Sequence, residues 1–435
     1  MQRRRVRCGM LDSATIRENP EAVRRGIRAK RIEGAEAALD AFLLADEEYR
    51  LLRADLEAKQ AIRNANSKEI GERKRSGQDA SDLIRAMGEV SGEVKRLEER
   101  ERGLREKLDT LQLELPNLPH ESVPLGESEH DNQVVHERPG VAPVGTTVPH
   151  WDWMRDRGWL DLDGGVTLAG AGFPVIRGEG VRLFRSLERF FLDRLAESGW
   201  SEVRVPLLAN EESVRATGQL PDKEGQMYQV SDGFYLIPTS EVAVTNLHRE
   251  AILDADALPL RYCALTPCFR REAGSYGKDV RGLNRVHQFD KVEMVAFTRP
   301  EDGYAMLEEM TELAEGLLEA LGLSYRRLLM CTADMGFTQA KKYDLEVWSP
   351  AQERWLEVSS VSTLTDFQAR RLQTRARAGG AQGSGKTSLV HTLNGSALAL
   401  PRTVAALVET YQRDDGALTV PDVLVPYVGR DVLGV

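Results

Sequence analysis

The sequence predicts an α+β protein, with a mixed, mostly antiparallel β-sheet flanked by helices and an N-terminal antiparallel helical coiled-coil arm. Three observations lead there. Up to residue 115, apolar residues recur at alternating spacings of three and four, the seam of long paired helices. Six prolines then fall between Pro116 and Pro149, a density that no helix tolerates. Beyond them, strand-like runs succeed one another with helices between and no repeated strand-helix-strand unit, which argues against an all-parallel sheet. The expected organisation is an arm over residues 1–115, a linker over 116–150 and a globular body over 151–435.

Composition narrows the class of molecule. A chain of 435 residues with 41% hydrophobic content can bury a sizeable core in two or three domains. No apolar run approaches the roughly 18 residues that span a bilayer, so no membrane partner is expected. The leader MQRRRVRCG is basic but lacks the apolar stretch of a secretory signal, and Met10 reads as the true start. Cys8, Cys263, Cys268 and Cys331 show no C-x-x-C spacing, so reduced cytoplasmic thiols are expected and no zinc site. The net charge of −10 excludes a uniformly basic nucleic-acid coat. The charge is uneven, however: residues 1–115 carry 25 Lys and Arg against 23 Asp and Glu, a net +2, leaving −12 for the remainder. A nucleic acid would therefore find its platform in the arm.

In the arm, Phe42, Ala45, Tyr49, Leu52 and Leu56 form one seam. Val90, Val94, Leu97, Leu104, Leu108, Leu111 and Leu115 form the other, with Glu101 filling one position. Between them GERKRSGQDA, Gly71 to Ala80, supplies two glycines and turn-forming polar residues. That predicts a hairpin whose arms project on the order of 45 Å at about 1.5 Å per residue. Toward the tip the seam turns polar at Lys59, Arg63 and Asn66, and Arg73, Lys74 and Arg75 lie beyond. Singly, each reads as the solvated end of a coiled coil; as a group they suit a phosphate backbone, where bound cations release condensed counterions.

In the body, GVRLFRSLERFFLDRLAESGW has the period of an amphipathic helix and SEVRVPLLA reads as the strand after it, with Pro206 near its end. YLIPTSEVAVTNLH, RYCALTPCFRREAG and NRVHQFDKVEMVAF read as strands, and PEDGYAMLEEMTELAEGLLEALGL as a helix stopped by Gly322. The Pro-rich stretch admits one short strand at NQVVHE.

GAQGSGKT, Gly380 to Thr387, fits the P-loop pattern letter for letter. A P-loop must come after a buried strand and open a helix. The segment before it, FQARRLQTRARAGG, is helical in composition, and SLVHTLNGSALAL after it reads as extended up to a turn at NGS. The stretch therefore reads as a glycine-rich surface loop, and a coiled-coil P-loop ATPase is the weaker alternative. A better nucleotide site lies in CFRREAGSYGKDVRGLNRVHQF, where Arg270 and Glu272 precede a glycine-rich charged loop and Phe289 and Glu293 come after it. A guanidinium neutralises phosphate, a carboxylate accepts from an amine, and an aromatic face stacks on a base.

FRREAG with RGLNRVHQFDKVEMV resembles motif 2 of the class II aminoacyl-tRNA synthetases in its seryl form. LNGSALALPRTVAALVETYQ resembles motif 3, and GVRLFRSLERFFLDRLAESGWSEVRVPLL the motif 1 helix and strand of the dimer interface. LIPTSEV, CTADMGFTQAKKYDLEVW, EVSS, DFQARR and the helical hairpin are likewise similar to that family's text, so the resemblance runs over nearly the whole chain from Met10. It implies the class II synthetase fold and the ATP-dependent activation of L-serine, then transfer to tRNA(Ser), and in this family also tRNA(Sec). Partners implied are ATP, serine, tRNA and a second copy of the chain, with Mg²⁺ accompanying ATP.

The resemblance also implies residue roles. Arg270, Glu272 and Arg402 would be catalytic. Arg270, Arg271, Glu272, Phe289, Glu357, Val358, Ser359, Ser360 and Arg402 would surround ATP, Phe289 and Arg402 taking the two faces of the adenine. Glu357 and Ser360 match positions that hold Mg²⁺. Thr239, Ser240, Glu241, Arg270, Glu293, Asn394 and Ser396 would bind serine, and Lys59, Arg63, Arg73, Lys74 and Arg75 the tRNA. The chain departs from the family pattern at Val361-Ser362-Thr363-Leu364, Ala397, Pro401 and Arg271, none of which removes a charged catalytic group. A specialised paralogue acting on a serine analogue or conferring self-resistance is the alternative those departures admit. His287 and His391 read as structural, since the chemistry needs no histidine.

Overall fold

The computed structural model describes residues 11–222, 225–272 and 281–434. Cys8, the Met10 start and most of the glycine-rich charged loop after Glu272 lie outside the described residues. The chain divides into two compact units, Met1–Pro116 and Asn117–Val435.

The first unit is helical. Asp12 caps α1 (Ser13–Glu18) by accepting from the Ala14 amide at 3.2 Å, and Pro20 opens α2 (Pro20–Ala29), where its missing N–H is no loss. Ile16, Val23 and Ile27 are buried alongside Leu39 and Phe42 of the long helix α3 (Ala35–Arg75). That helix packs along α4 (Ser81–Leu113), burying Leu52, Leu56, Val94, Leu104 and Leu108. Glu101 is accommodated in the seam because the Tyr49 hydroxyl donates to it at 3.1 Å. The turn is shorter than the sequence suggested. Arg73, Lys74 and Arg75 belong to the last turn of α3, which good helix formers sustain, and the reversal begins at Ser76 and Gly77, the latter at φ +70°.

The second unit is built on an eight-stranded sheet. In chain order its strands are β1 (Gln133–Arg138), β2 (Ser201–Glu202), β3 (Leu260–Phe269), β4 (Gln288–Thr298), β5 (Tyr325–Leu329), β6 (Lys341–Ser349), β7 (Arg354–Thr365) and β8 (His391–Ala399). They lie side by side as β1-β5-β6-β7-β8-β4-β3-β2, and every pairing but β2 with β3 is antiparallel. The expected mixed, mostly antiparallel sheet is thus borne out. Helix α5 (Glu179–Glu197) buries Leu183, Leu187, Phe190, Phe191 and Leu195 in the core beside it. Each such side chain contributes about 1.5–3 kcal/mol when removed from water. Helix α6 (Gly303–Ala320) packs on β7 and β8, and α7 (Leu400–Tyr411) continues directly from β8.

Several expectations need correction. The stretch from Asn117 to Pro149 is no free linker: the Asn117 amide donates to Phe337 O, Val141 N to Gly322 O and Val144 N to Thr410 O, and β1 forms the sheet edge. Prolines exclude a helix, but not an extended path paired along a neighbour. EVAVT is a short helix, Glu241–Thr245, because its brief apolar run suits either period. SEVRVPLLA is interrupted into Ser201–Glu202 and Leu208–Ala209 around Pro206. NGS is no turn but the middle of β8. A Cβ on Gly395 would come within 2.9 Å of Val361 Cγ1, so this glycine serves close packing. Finally, a strand does precede GAQGSGKT: Arg375–Arg377 pairs with Ile252–Asp254 and Ser388–Leu389. That strand leads into a single 3₁₀ turn, Gly380–Gln382, and then another strand, so no helix N-terminus exists to meet a phosphate. Arg377 instead donates to the carbonyls of Gly380 and Ala381, at 2.7 and 2.5 Å.

One irregularity of β8 matters for the site. Ser396 pairs with Glu293 of β4, but the next pair is Ala399 with Lys291, so β8 spends three residues where β4 spends two.

Candidate active site

Alternation along β4 puts Phe289, Lys291 and Glu293 on one face, and the register with β8 brings Ser396 directly opposite Glu293. Two adjoining regions result.

The first is a buried polar pocket. Asn394 Nδ2 donates to Glu241 Oε2 at 3.1 Å and to Glu293 Oε1 at 3.2 Å, and Ser396 Oγ donates to Glu293 Oε2 at 3.3 Å. Lys291 Nζ lies 2.5 Å from Glu293 Oε2 and donates to Thr239 Oγ1 at 3.0 Å. Gln368 Nε2 donates to Glu241 Oε1 at 2.6 Å while its own Oε1 accepts from Thr392 Oγ1 at 2.8 Å. Burial, reinforced by the charge of Glu293, pushes Glu241 up to about 7, against the pull of Gln368, Lys291 and Arg270. The buried Asn394 Oδ1 has no hydrogen-bond partner among the described residues. The pocket therefore offers two carboxylates and an open acceptor, a set suited to an ammonium group and a small hydroxyl. Ser240 stands apart: it is fully buried and its Oγ is unpartnered among the described residues.

The second region is a cleft lined by Arg270, Glu272, Asn284, Arg285, Phe289, Lys291, Glu357, Val358, Ser359, Ser360, Ser396 and Arg402, among others. Arg270 Nε donates to Pro238 O at 3.3 Å and its guanidinium lies 5.3 Å from the centroid of the Phe289 ring. Arg402 donates to Asn284 O at 2.8 Å and Glu357 O at 2.9 Å. Glu272, at φ +48°, accepts from Arg285 Nε. Ser359 Oγ donates to Ser396 O at 2.5 Å, tying cleft to pocket. Arg271 bonds through its amide to Gln226 O and is not among the residues lining the cleft. The cleft is rich in cations and ends in an aromatic face, which suits a polyphosphate attached to a base.

Glu357 is 48% exposed in its side chain and opens into the cleft. The surrounding walls act to raise it, but Lys342, Arg402, Arg270 and Lys291 together hold it below the usual carboxylate range. Asp344, opposite Ser360 in the β6–β7 register, is pushed up to about 7 by burial despite Lys342 Nζ 3.0 Å away, and its Oδ1 is unpartnered among the described residues. Among the described residues no three His, Cys, Asp or Glu side chains are grouped to hold a metal ion.

Sequence reading missed Lys291, Gln368 and Arg285. The first was signalled by its place between Phe289 and Glu293 in an alternating strand, and Arg285 by its place in the charged stretch between Glu272 and Phe289; Gln368 lies in DFQARR, which resembles the family's text but shows no local pattern of a pocket. On the arm, Lys59 Nζ lies 2.6 Å from Glu93 Oε2, and Arg73 pairs with Glu69 at 2.6 Å and Asp82 at 3.4 Å. Arg63 is half-buried, and Lys74 and Arg75 are exposed.

Known proteins share this architecture. Residues 10–119 match the model of the seryl-tRNA synthetase N-terminal domain, and residues 227–411 that of the tRNA synthetase class II core domain (G, H, P, S and T). A serine–tRNA ligase of Salinibacter ruber is 51% identical over 98% of this chain and 99% of its own length. The crystal structure of the seryl-tRNA synthetase of Pyrococcus horikoshii complexed with ATP is 35% identical, covers 97% of this chain and 99% of that one, and superposes with a TM-score of 0.92. The cytoplasmic enzyme of Naegleria fowleri in complex with AMP is 27% identical over 95% of this chain and 96% of that one, with a TM-score of 0.86.

Proposed function

The chain belongs to the seryl-tRNA synthetase family of class II aminoacyl-tRNA synthetases, and from that premise we propose how its residues divide the ligation of serine to tRNA. The observation that carries the reading is the contiguity of a carboxylate-lined pocket with an arginine-lined cleft across the β4–β8 register.

Serine occupies the pocket, its ammonium toward Glu241 and Glu293 and its hydroxyl toward Ser396 and Asn394, with Thr239 and Lys291 bracing the wall. Alanine is rejected because it would leave those buried groups unpaired. ATP lies in the cleft, with Arg270 on the α-phosphate, Glu272 fixing the nucleotide, and Phe289 and Arg402 against the adenine. The serine carboxylate forms a bond to the α-phosphorus as the bond to the β-phosphate breaks, and pyrophosphate carries away the electron pair. Arg270 and Arg402 neutralise charge on the crowded oxygens, and no protein nucleophile takes part. The terminal ribose hydroxyl of tRNA(Ser) then takes the seryl group from the adenylate.

Hard oxygen donors at Glu357 and Ser360, with the orphaned Asp344 Oδ1 behind them, fit Mg²⁺. When bound with ATP the ion would supply further charge neutralisation at the phosphates. The exposed Lys74 and Arg75 of the arm approach the tRNA backbone, a second copy of the chain packs through the motif 1 helix α5, and the enzyme works in the cytoplasm. Unpaired thiols at Cys263, Cys268 and Cys331 accord with that compartment.

Serine-dependent exchange of labelled pyrophosphate into ATP tests the reading, and its absence from a folded preparation would sink it. Lys74→Ala with Arg75→Ala should lower charging of tRNA(Ser) about tenfold and flatten its salt dependence while sparing the exchange reaction. Equal loss in both assays would refute that division of labour.

A further inference from the structure

A buried network behind Leu283 and Asn284 of the cleft wall has no part in the ligation chemistry itself. Glu409 lies seven residues after Arg402 on α7, two turns along one face of the helix. Its carboxylate is fully buried and meets four donors. Oε1 accepts from the His150 amide at 3.1 Å, His150 Nδ1 at 2.8 Å and Gln352 Nε2 at 3.0 Å, and Oε2 accepts from Ser349 Oγ. Burial opposes the charge, but the bonds from His150 and Ser349 hold this carboxyl below its usual range.

Both arms of the network end on the same short segment. His150 Nε2 accepts from the Leu283 amide at 2.9 Å, which fixes the imidazole with its proton on Nδ1, facing Glu409. Gln352 Oε1 accepts from Asn284 Nδ2 at 2.8 Å. The fit is close: Gly282 sits at φ +61°, and a Cβ there would lie 2.4 Å from His150 Nε2. Arg281 stacks over Trp151 at 4.7 Å. Leu283 and Asn284 line the cleft, and Asn284 O, which accepts from Arg402 Nε, is one of the two carbonyls that aim the Arg402 guanidinium, Glu357 O being the other.

We infer that His150, Glu409 and Gln352 are positioning residues for ATP: together they clamp Leu283 and Asn284 against α7 and so set the aim of Arg402. The inference rests on the reading of Arg402 as an ATP ligand. A shell of this kind acts through the geometry of its neighbour, so its removal weakens nucleotide binding and leaves the serine pocket alone.

The test is steady-state pyrophosphate exchange with the full chain. His150→Asn keeps a donor for Glu409 but removes the acceptor for Leu283, and Gln352→Ala cuts the link to Asn284. Each should raise the KM for ATP about tenfold, with the KM for serine within about twofold. Adding Arg402→Ala to either should worsen the Arg402→Ala variant by less than about twofold, because both changes act through one guanidinium. Unchanged ATP KM in Gln352→Ala, full multiplication of the effects, or equal loss toward serine and ATP overturns the inference, the last marking a merely structural role. Should His150→Asn fail to fold, Gln352→Ala decides the matter from a half-exposed position. An Arg402→Ala variant with unchanged ATP KM would overturn the reading of Arg402 itself and this inference with it.

Discussion

The two halves of the site solve opposite problems. In the pocket proposed for serine, Glu241, Glu293, Asn394, Ser396 and Lys291 are bonded chiefly to one another, so the cost of burying charge is met internally. In the cleft, Arg270 and Arg402 donate to the backbone carbonyls of Pro238, Asn284 and Glu357, the nearest carboxylate to Arg402 being Glu357 at 3.8 Å. A dipole aims a guanidinium without cancelling its charge. The pocket's charges are thus met among themselves, with Asn394 Oδ1 left as an open acceptor among the described residues, whereas the cleft holds an excess of positive charge that a polyanion would relieve.

That contrast can be broken most forcefully at Arg270. Arg270→Ala should lower kcat/KM for pyrophosphate exchange on the order of 100- to 1000-fold, since it removes charge stabilisation from the transition state. A loss confined to KM for ATP would instead make it a binding group. Glu293→Gln should raise the KM for serine about 10- to 100-fold with little change for ATP, because Lys291, Asn394 and Ser396 all lose an ionised partner. Parallel losses for both substrates would dissolve the division between the halves.

Glu241 gives a subtler reading through pH. Its value is raised in the fold from 4.5 to about 7, so the folded chain holds a proton that the unfolded chain has lost between those values. Its contribution to stability is therefore full below about 4.5 and is lost as pH rises to about 7. Serine binding runs the other way, because an ammonium is best met by the ionised carboxylate. The KM for serine should fall several-fold between about pH 6 and 8 and flatten in Glu241→Gln; a slope retained in that variant would assign the titration elsewhere. The smallest effect belongs to Lys386→Ala, expected to change exchange by less than about twofold. A collapse of activity would restore the phosphate-binding reading of GAQGSGKT.

Much of this architecture was legible in the chain because periodicity registers packing directly. The seams of α3 and α4, the strands around Cys263 and Met294, and the alternation of Phe289 and Glu293 all report which face is covered. Contacts made across the fold leave no such trace. Gln368 reaches back 127 positions along the chain to bond Glu241, and although DFQARR resembles the family's text, neither its periodicity nor its charge speaks of a pocket. Gly395 misled for a related reason: glycine marks a turn when the backbone needs freedom and a strand when a neighbour needs room, and only Val361 tells which. EVAVT is too short for either period to declare itself.

The extra residue of β8 has a consequence best expressed as parity. Directly paired residues share a face, so Ala399 looks with Lys291 into the cleft that Ser396 also lines, although three steps separate Ser396 from Ala399 on β8. Strict alternation would have put Leu398 there, yet Leu398 and Ala397 are both wholly buried in the core. The strand in effect skips a beat, handing an odd count to one edge and an even count to the other. The same sequence laid down without the bulge would lose its phase, turning the oily Leu398 side chain toward the cleft and carrying Arg402 one residue out of step with it.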